Sequence, residues 1–244
     1  MKLRRILHVS LSVLLLSGSV VLVGFARVER EGLRYVDLAV AVEEVDGMYL
    51  VDGESVRNAI AVHDSIRGTF YADVSLAEVE SWVREALPAV RDVEVYPGLD
   101  RTLHVHVTQR RPVARWHRGG SAADVYFDEA GETMPLSSVF TARVPVIHAE
   151  TEEEADLGFA FAERLVQSAQ WRAFTDGLVV RGATVELLPR LGGARIELGD
   201  LAHLSQNLMH LDAFYREQIA RGNLNDYKKI SLKYEGQIVA QRHY

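Results

Sequence analysis

The first hydrophobic segment of the chain, residues 6–26, has no polar face. It contains no Asp, Glu, Lys or Arg, and it follows the basic residues Lys2, Arg4 and Arg5. As a helix rising 1.5 Å per residue it would extend about 31 Å, close to the thickness of a bilayer core. We therefore predict a transmembrane helix over residues 6–26, after a cytoplasmic tail of residues 1–5. The alternative is a cleaved signal peptide, whose hydrophobic region is usually shorter.

Residues 36–108 show the two-residue period of strands interrupted by two helical segments. The predicted elements are, in order, a strand at 38–45, helices at 52–60 and 75–87, and strands at 90–95 and 102–108. Ser75 and Glu78 form a capping box at the start of the second helix, and Pro88 ends it. This order predicts one small α/β module.

Residues 109–244 are richer in strands and turns. Residues 109–116 are interpreted as the connection that leads out of the first module. The predicted strands lie at 124–128, 144–148, 178–187 and 194–198, the predicted helices at 151–170 and 200–221, and a final hairpin at 228–234 and 237–242. The fold class is therefore α+β, with one membrane helix, a small α/β module over 36–108 and a β-rich domain with flanking helices over 109–244.

Composition excludes several classes of function. The chain has 244 residues, a formal net charge of −7 and no cysteine. The absence of cysteine excludes disulfides, cysteine-ligated metals and a thiol nucleophile. The acidic balance argues against nucleic-acid binding, which needs a basic surface to neutralise phosphates.

The sequence contains few candidate catalytic or metal-binding residues. His104 and His106 alternate on one strand, so their side chains share a face and could bind a metal. No third ligand stands out nearby, and we interpret both histidines as ordinary strand residues. Nucleophile-elbow and phosphate-loop motifs are absent from the sequence. We therefore predict no enzyme activity, no metal, no cofactor and no small-molecule substrate.

The strand near the end of the chain is the most distinctive candidate for binding. It places Ile230, Leu232 and Tyr234 on one face, opposite Ser231 and two lysines. Because this strand lies close to the C-terminus, we expect one of its edges to be open. Such an edge either is protected by lysines and binds nothing, or accepts a strand from a partner protein.

Four motifs resemble those of a known family. The segments 87–95 and 103–114 are similar to a run "P-x-V-x-x-A-x-V … L-x-I-x-V-x-Q-R-x-P-x-A". The segment 126–131 resembles a following "D-x-x-G" turn, 144–147 an "L-P-x-I" strand, and 230–234 a "v-D-L-R-Y" strand in which Ser231 replaces the usual Asp. In this order the motifs resemble the FtsQ/DivIB family of bacterial cell-division proteins, and the 36–108 module resembles a POTRA domain.

The resemblance implies a non-enzymatic scaffold in the cytoplasmic membrane, with its bulk on the periplasmic side and enriched at the division septum. The expected partners are the divisome proteins FtsB and FtsL and, through them, the septal peptidoglycan synthase FtsW–FtsI. The resemblance places a strand from FtsB against the residues Lys229, Ile230, Ser231, Leu232, Lys233, Tyr234, Gln237, Ile238, Val239 and Ala240. Arg110, Arg111 and Pro112 are expected to fix the domain junction.

Two other classes of protein stay open on sequence grounds. One is a POTRA-containing protein of an envelope-assembly or export system, although such proteins normally carry repeated modules and a large barrel. The other is a membrane-anchored envelope hydrolase, which would need a catalytic constellation that the sequence does not show.

Overall fold

The computed structural model describes residues 32–63, 65–234 and 236–243. The predicted tail (1–5) and membrane span (6–26) lie outside these described residues. Within the described ranges, no helix is both long enough and apolar enough to cross a membrane.

The chain divides into two compact units. The first contains the described residues up to Glu44 together with Val51–Gln109, and the second contains Val45–Leu50 and Arg110–Tyr244. The sequence did not predict that the short segment Val45–Leu50 belongs to the second unit.

The first unit has the predicted order strand–helix–helix–strand–strand. Its elements are β1 (Asp37–Val42), α1 (Gly53–Ala61), α2 (Leu76–Ala86), β2 (Val90–Pro97) and β3 (Thr102–Gln109). Strand β3 lies in the centre of the sheet, parallel to β1 and antiparallel to β2. The predicted order of elements is therefore confirmed.

The two helices of the first unit begin where their sequences carry capping residues. The Asp52 side chain accepts a hydrogen bond from the Ser55 amide at 2.7 Å, and the Ser75 hydroxyl accepts one from the Glu78 amide at 3.4 Å. Each cap satisfies an amide that has no partner inside its helix. The helices then bury Val56, Val79 and other aliphatic side chains against the sheet.

The second unit is a large mixed sheet with helices packed on it. Its strands are β4 (Pro112–His117), β5 (Val125–Asp128), β6 (Thr133–Pro135), β7 (Val146–His148), β8 (Thr175–Arg181), β9 (Thr184–Pro189), β10 (Arg195–Glu197), β11 (Tyr227–Ser231) and β12 (Val239–Arg242). Its helices are α3 (Glu152–Val166), α4 (Ala169–Phe174) and α5 (Leu204–Arg221). Among the described residues the nine strands lie in the order β12-β11-β10-β9-β8-β7-β4-β5-β6.

One hydrophobic core holds the second unit together. Helix α3 contributes Phe161 and Leu165, and α5 contributes Leu208 and Leu211, to a cluster that also contains Ile147 and the other inward-facing strand residues. The predicted α+β class is confirmed by this arrangement of sheet and helices.

Gly177 in β8 allows a close approach between two neighbouring strands. It pairs with Val146 of the parallel strand β7. A Cβ atom at this position would lie 2.6 Å from the Val146 carbonyl oxygen, well inside van der Waals contact. Only glycine therefore fits this point of the sheet without moving backbone.

Three predictions about the second unit were wrong in detail. Residues 112–117 form strand β4, because they pair with both β5 and β7 and do not simply connect the units. The predicted strand 178–187 is the hairpin β8–β9, which turns where Gly182 adopts a φ of 56°. The predicted helix 151–170 ends at Val166, because Ser168 is extended and starts α4.

Candidate partner-binding edge

The open edge near the C-terminus is formed by β12, one strand later than the sequence predicted. Strand β11 is parallel to β10 on one side and antiparallel to β12 on the other. In the described part of the chain, β12 has a neighbouring strand on one side only. The expectation of an open edge at Lys229–Tyr234 is therefore corrected, because the hairpin folds back and covers that strand. We call the outward side of β12 the C-terminal edge.

The ten predicted binding residues divide into a buried group and an accessible group. Ile230, Ser231 and Leu232 are buried, because they belong to the inner strand and the turn that follows it. Lys229, Ile238 and Ala240 are partly buried, and Ile238 and Ala240 pack against the core. The exposed residues are Lys233, Tyr234, Gln237 and Val239.

The backbone of β12 offers unused hydrogen-bonding groups along the C-terminal edge. The His243 amide donates inward to the Asp226 carbonyl at 2.8 Å. Because N–H groups alternate in direction along a strand, we infer that the amides of Gln241 and Val239 also point towards β11. The amides of Ala240 and Arg242 then point outward, towards the position of an added strand.

A charged cluster fixes the inner strand β11 to its neighbours. Glu186 of β9 and Glu197 of β10 are directly paired across the sheet. The Lys229 amine lies 3.0 Å from a Glu186 carboxylate oxygen and 3.2 Å from one of Glu197. The hydrogen bond to Glu186, followed by the attraction of Glu197, raises the pKa of Lys229 above its ordinary value. Lys229 is therefore paired with Glu186 and Glu197 inside the sheet and does not face the C-terminal edge as a free cation.

Replacing Lys229 by methionine is expected to destabilise the sheet by about 1 kcal/mol at neutral pH, because two adjacent glutamates lose their shared cation. The value is small because the Lys229 side chain is 40% exposed and solvent screens the pair. The amine's stabilising effect is fully present below its unfolded pKa of about 10.4 and is lost as the pH rises through the higher folded value. Urea unfolding between neutral and strongly alkaline pH measures this difference.

Lys233→Met is the matched control, because Lys233 forms no ion pair with a described carboxylate. It is expected to leave the unfolding free energy nearly unchanged at every pH. Equal effects of the two substitutions would contradict a specific role for the Lys229 cluster.

Two tyrosines lie at opposite ends of the C-terminal hairpin. The guanidinium of Arg242 lies 5.5 Å from the centre of the Tyr227 ring, and the Tyr227 hydroxyl donates to Gln218 of α5 at 3.2 Å. The hydrogen bond between Arg242 and Tyr227 raises the pKa of the guanidinium. Tyr234 is 52% exposed at the other end of the hairpin. The hairpin is thus anchored at Tyr227 and accessible at Tyr234.

The predicted junction residues form ion pairs inside the second unit. Arg110 contacts Asp128 and Glu132 at 3.2 and 3.0 Å. Arg111 contacts Asp46 and Glu129 at 2.7 and 2.9 Å, and the hydrogen bond to Glu129 chiefly raises its pKa. Pro112 begins β4. Their role in fixing the domain junction stays a prediction.

The two histidines of β3 have local contacts. His104 stacks on Tyr96 with ring centres 5.2 Å apart, and its Nε2 lies 3.8 Å from an Asp100 carboxylate oxygen. The described residues contain no group of three or more His, Cys, Asp or Glu side chains placed to hold a metal ion.

Gln241 and Arg242 are edge residues that were not among the predicted binding residues. Both belong to β12, and Arg242 supplies one of the outward amides. The available signal was the turn predicted at residues 235–236, which placed residues 237–242 in the second strand of the predicted hairpin. What the sequence could not reveal was on which side of β11 that strand would pair.

Comparison with known proteins supports one family. The family model described as FtsQ/DivIB, C-terminal related, matches residues 111–241. This match covers more than half of the chain and includes strands β4 to β11 and all of β12 except Arg242. The comparison with curated proteins gave no match.

Proposed function

Because the chain belongs to the FtsQ/DivIB C-terminal related family, whose members act in cell division without catalysing a reaction, we propose that it is a divisome scaffold that binds FtsB and FtsL. Through this pair it links to FtsW and FtsI at the septum. In this proposal residues 6–26 anchor the chain in the cytoplasmic membrane, with the N-terminus in the cytoplasm and the two units on the periplasmic side.

The open β12 strand is the observation that carries this proposal. An added strand would form backbone hydrogen bonds with the outward groups of Ala240 and Arg242, which supply affinity without a constraint on partner sequence. The exposed side chains of Val239 and Tyr234 would contact alternate side chains of the added strand and supply specificity. Strand β12 contains no lysine, and its single charged residue, Arg242, lies over the ring of Tyr227. Lysines of the kind that protect an edge strand are therefore absent from β12 itself.

A photo-crosslinking amino acid at Val239 tests this proposal in dividing cells. We expect a covalent product with FtsB, because Val239 is 47% exposed on the edge strand. The same amino acid at Val62, which is 82% exposed in the first unit, is the matched control and should give no FtsB product.

Equal crosslinking from both positions would contradict a specific edge. Loss of the FtsB product at Val239, with a product to an envelope-assembly protein instead, would favour the alternative class of POTRA-containing proteins.

A further inference from the structure

One end of the first unit carries most of that unit's exposed apolar side chains. The start of β1, the end of β2 and the start of β3 meet there, because Thr102 pairs with Asp37 of β1 and the next residue pairs with Pro97 of β2. Four large apolar side chains are exposed in the described part of this unit, and three of them lie at this end: Val36, Tyr96 and Leu99. We call residues 96–102 together with Val36 the Leu99 end.

Leu99 lies at the tip of a fixed turn and is fully exposed. The Gly98 amide donates to the Thr102 carbonyl at 2.7 Å, and the Thr102 amide donates to the Asp100 carboxylate at 3.1 Å. The Tyr71 hydroxyl donates to the Gly98 carbonyl at 3.3 Å. The turn is therefore hydrogen-bonded on both sides of Leu99, and a surface that covers this side chain would not have to order it first.

The chain enters the first unit at this same end. The Val36 amide donates to the Arg101 carbonyl at 2.9 Å, directly beside the turn. Only ten residues separate Val36 from residue 26, the last residue of the anchor in the proposed function. Fully extended, ten residues reach about 35 Å. The anchor therefore keeps the Leu99 end close to the bilayer surface, and in this respect the inference rests on the proposed function.

The charged side chains around the Leu99 end balance one another. The segments 33–37, 67–73 and 97–102 contain three arginines and three aspartates: Arg34, Arg67, Arg101, Asp37, Asp73 and Asp100. Arg67 and Asp37 form an ion pair at 2.7 Å. The hydrogen bond from the Thr102 amide chiefly lowers the pKa of Asp100, which therefore stays ionised beside Arg101. Because these charges sum to zero, the interaction that this end offers is the burial of apolar surface.

We propose that the Leu99 end rests on the outer face of the cytoplasmic membrane, with Leu99 inserted among the lipid acyl chains and Tyr96 at the level of the headgroups. Leucine gains free energy when it leaves water, and tyrosine favours the membrane–water interface because its ring is apolar and its hydroxyl is polar. One leucine alone would bind a bilayer weakly, but the short tether raises its effective concentration at the surface. The bilayer is also the occupant that the chain itself holds beside this end.

Fluorescence quenching of the full-length chain in phosphatidylcholine vesicles tests the proposal. Because the sequence has no cysteine, Leu99→Cys provides a single thiol for an environment-sensitive fluorophore. Lipids with a nitroxide near the top of the acyl chain should quench this fluorophore at least about threefold more strongly than the same fluorophore on Arg91→Cys. Arg91 is the matched control, because it is exposed on β2 six residues before Pro97, roughly 20 Å from the turn.

A second fluorophore position separates insertion of Leu99 from insertion of the dye. With the fluorophore on Arg101→Cys, the ratio of docked to undocked chains should fall roughly tenfold or more when Leu99→Asp is added. The matched substitution Val62→Asp should leave this ratio unchanged, because Val62 is exposed but its neighbour His63 stacks on Trp82 in the middle of α2. Added salt should not reduce the quenching, since the charges at the Leu99 end cancel.

Equal quenching at positions 99 and 91 would overturn the proposal, as would quenching that persists after Leu99→Asp. A fluorophore at position 99 that is shielded from water but not quenched by the lipid nitroxide would also overturn it, with a second copy of the chain as the occupant. Chains that do not float with the vesicles would overturn the anchor of the proposed function and this inference together. Chains that float with the vesicles but show no quenching at position 99 would overturn this inference alone.

Discussion

Replacing Ala240 by proline is expected to weaken binding of FtsB roughly 30- to 100-fold while leaving the second unit folded. Proline removes the outward amide of β12 and leaves a carbonyl of the added strand without a donor. The loss of one hydrogen bond and the burial of an unpaired carbonyl together cost about 2–3 kcal/mol. A titration of the full-length chain with the extracytoplasmic part of FtsB measures the change in Kd.

Ala240→Ser is the control for this prediction, because it keeps the amide and closely matches alanine in size. Its Kd should stay close to that of the unmodified chain. Both variants should show unchanged thermal unfolding, since proline is tolerated on an edge strand when its nitrogen faces away from the sheet. Unchanged FtsB binding by a folded Ala240→Pro variant would contradict strand addition at the C-terminal edge.

Replacing Gly177 by valine is expected to destabilise the second unit by about 3 kcal/mol or more. The new Cβ would lie 2.6 Å from the Val146 carbonyl oxygen, so relief of the clash requires separation of β7 from β8. These strands lie in the middle of the sheet, where the buried residues Ile147 and Leu178 are paired. Because domains are stable by only about 5–15 kcal/mol, the loss is readily measured by urea unfolding.

Gly193→Ala tests whether the effect comes from the contact and not from the loss of a glycine. A Cβ at position 193 would meet no heavy atom within 4 Å. This variant is expected to change the unfolding free energy by less than about 1 kcal/mol, and in the stabilising direction if it changes at all. A Gly177→Val chain as stable as the Gly193→Ala chain would contradict the close approach of β7 and β8.

The local parts of the fold could be predicted because their causes lie within a few residues. Asp52, Ser75 and Thr151 each cap the helix that follows them, and Gly222 ends α5 with a φ of 72°. Each of these caps bonds to backbone groups only three or four residues away, so the residues that determine it are adjacent in the sequence. The order of elements in the first unit follows from such signals.

The order of strands in the second unit could not be predicted in the same way. Strand β4 pairs with β7, and β10 with β11, over separations that no local pattern specifies. The partner edge was therefore predicted to include both Lys229–Tyr234 and Gln237–Ala240, although among the described residues β12 lies outside β11 and forms the end of the sheet.

The mixed strand directions of the second sheet have a consequence for how fast the chain folds. The pairs β4–β7, β7–β8 and β10–β11 are parallel, so none of them can form by closing a tight turn. Each requires the chain to close a long loop before any contact compensates for the lost entropy, which raises contact order and slows folding. Hairpins such as β8–β9 are expected to form first. We expect the C-terminal edge to reach its final position late in folding, because β11 must pair with β10 in parallel across the long connection through α5.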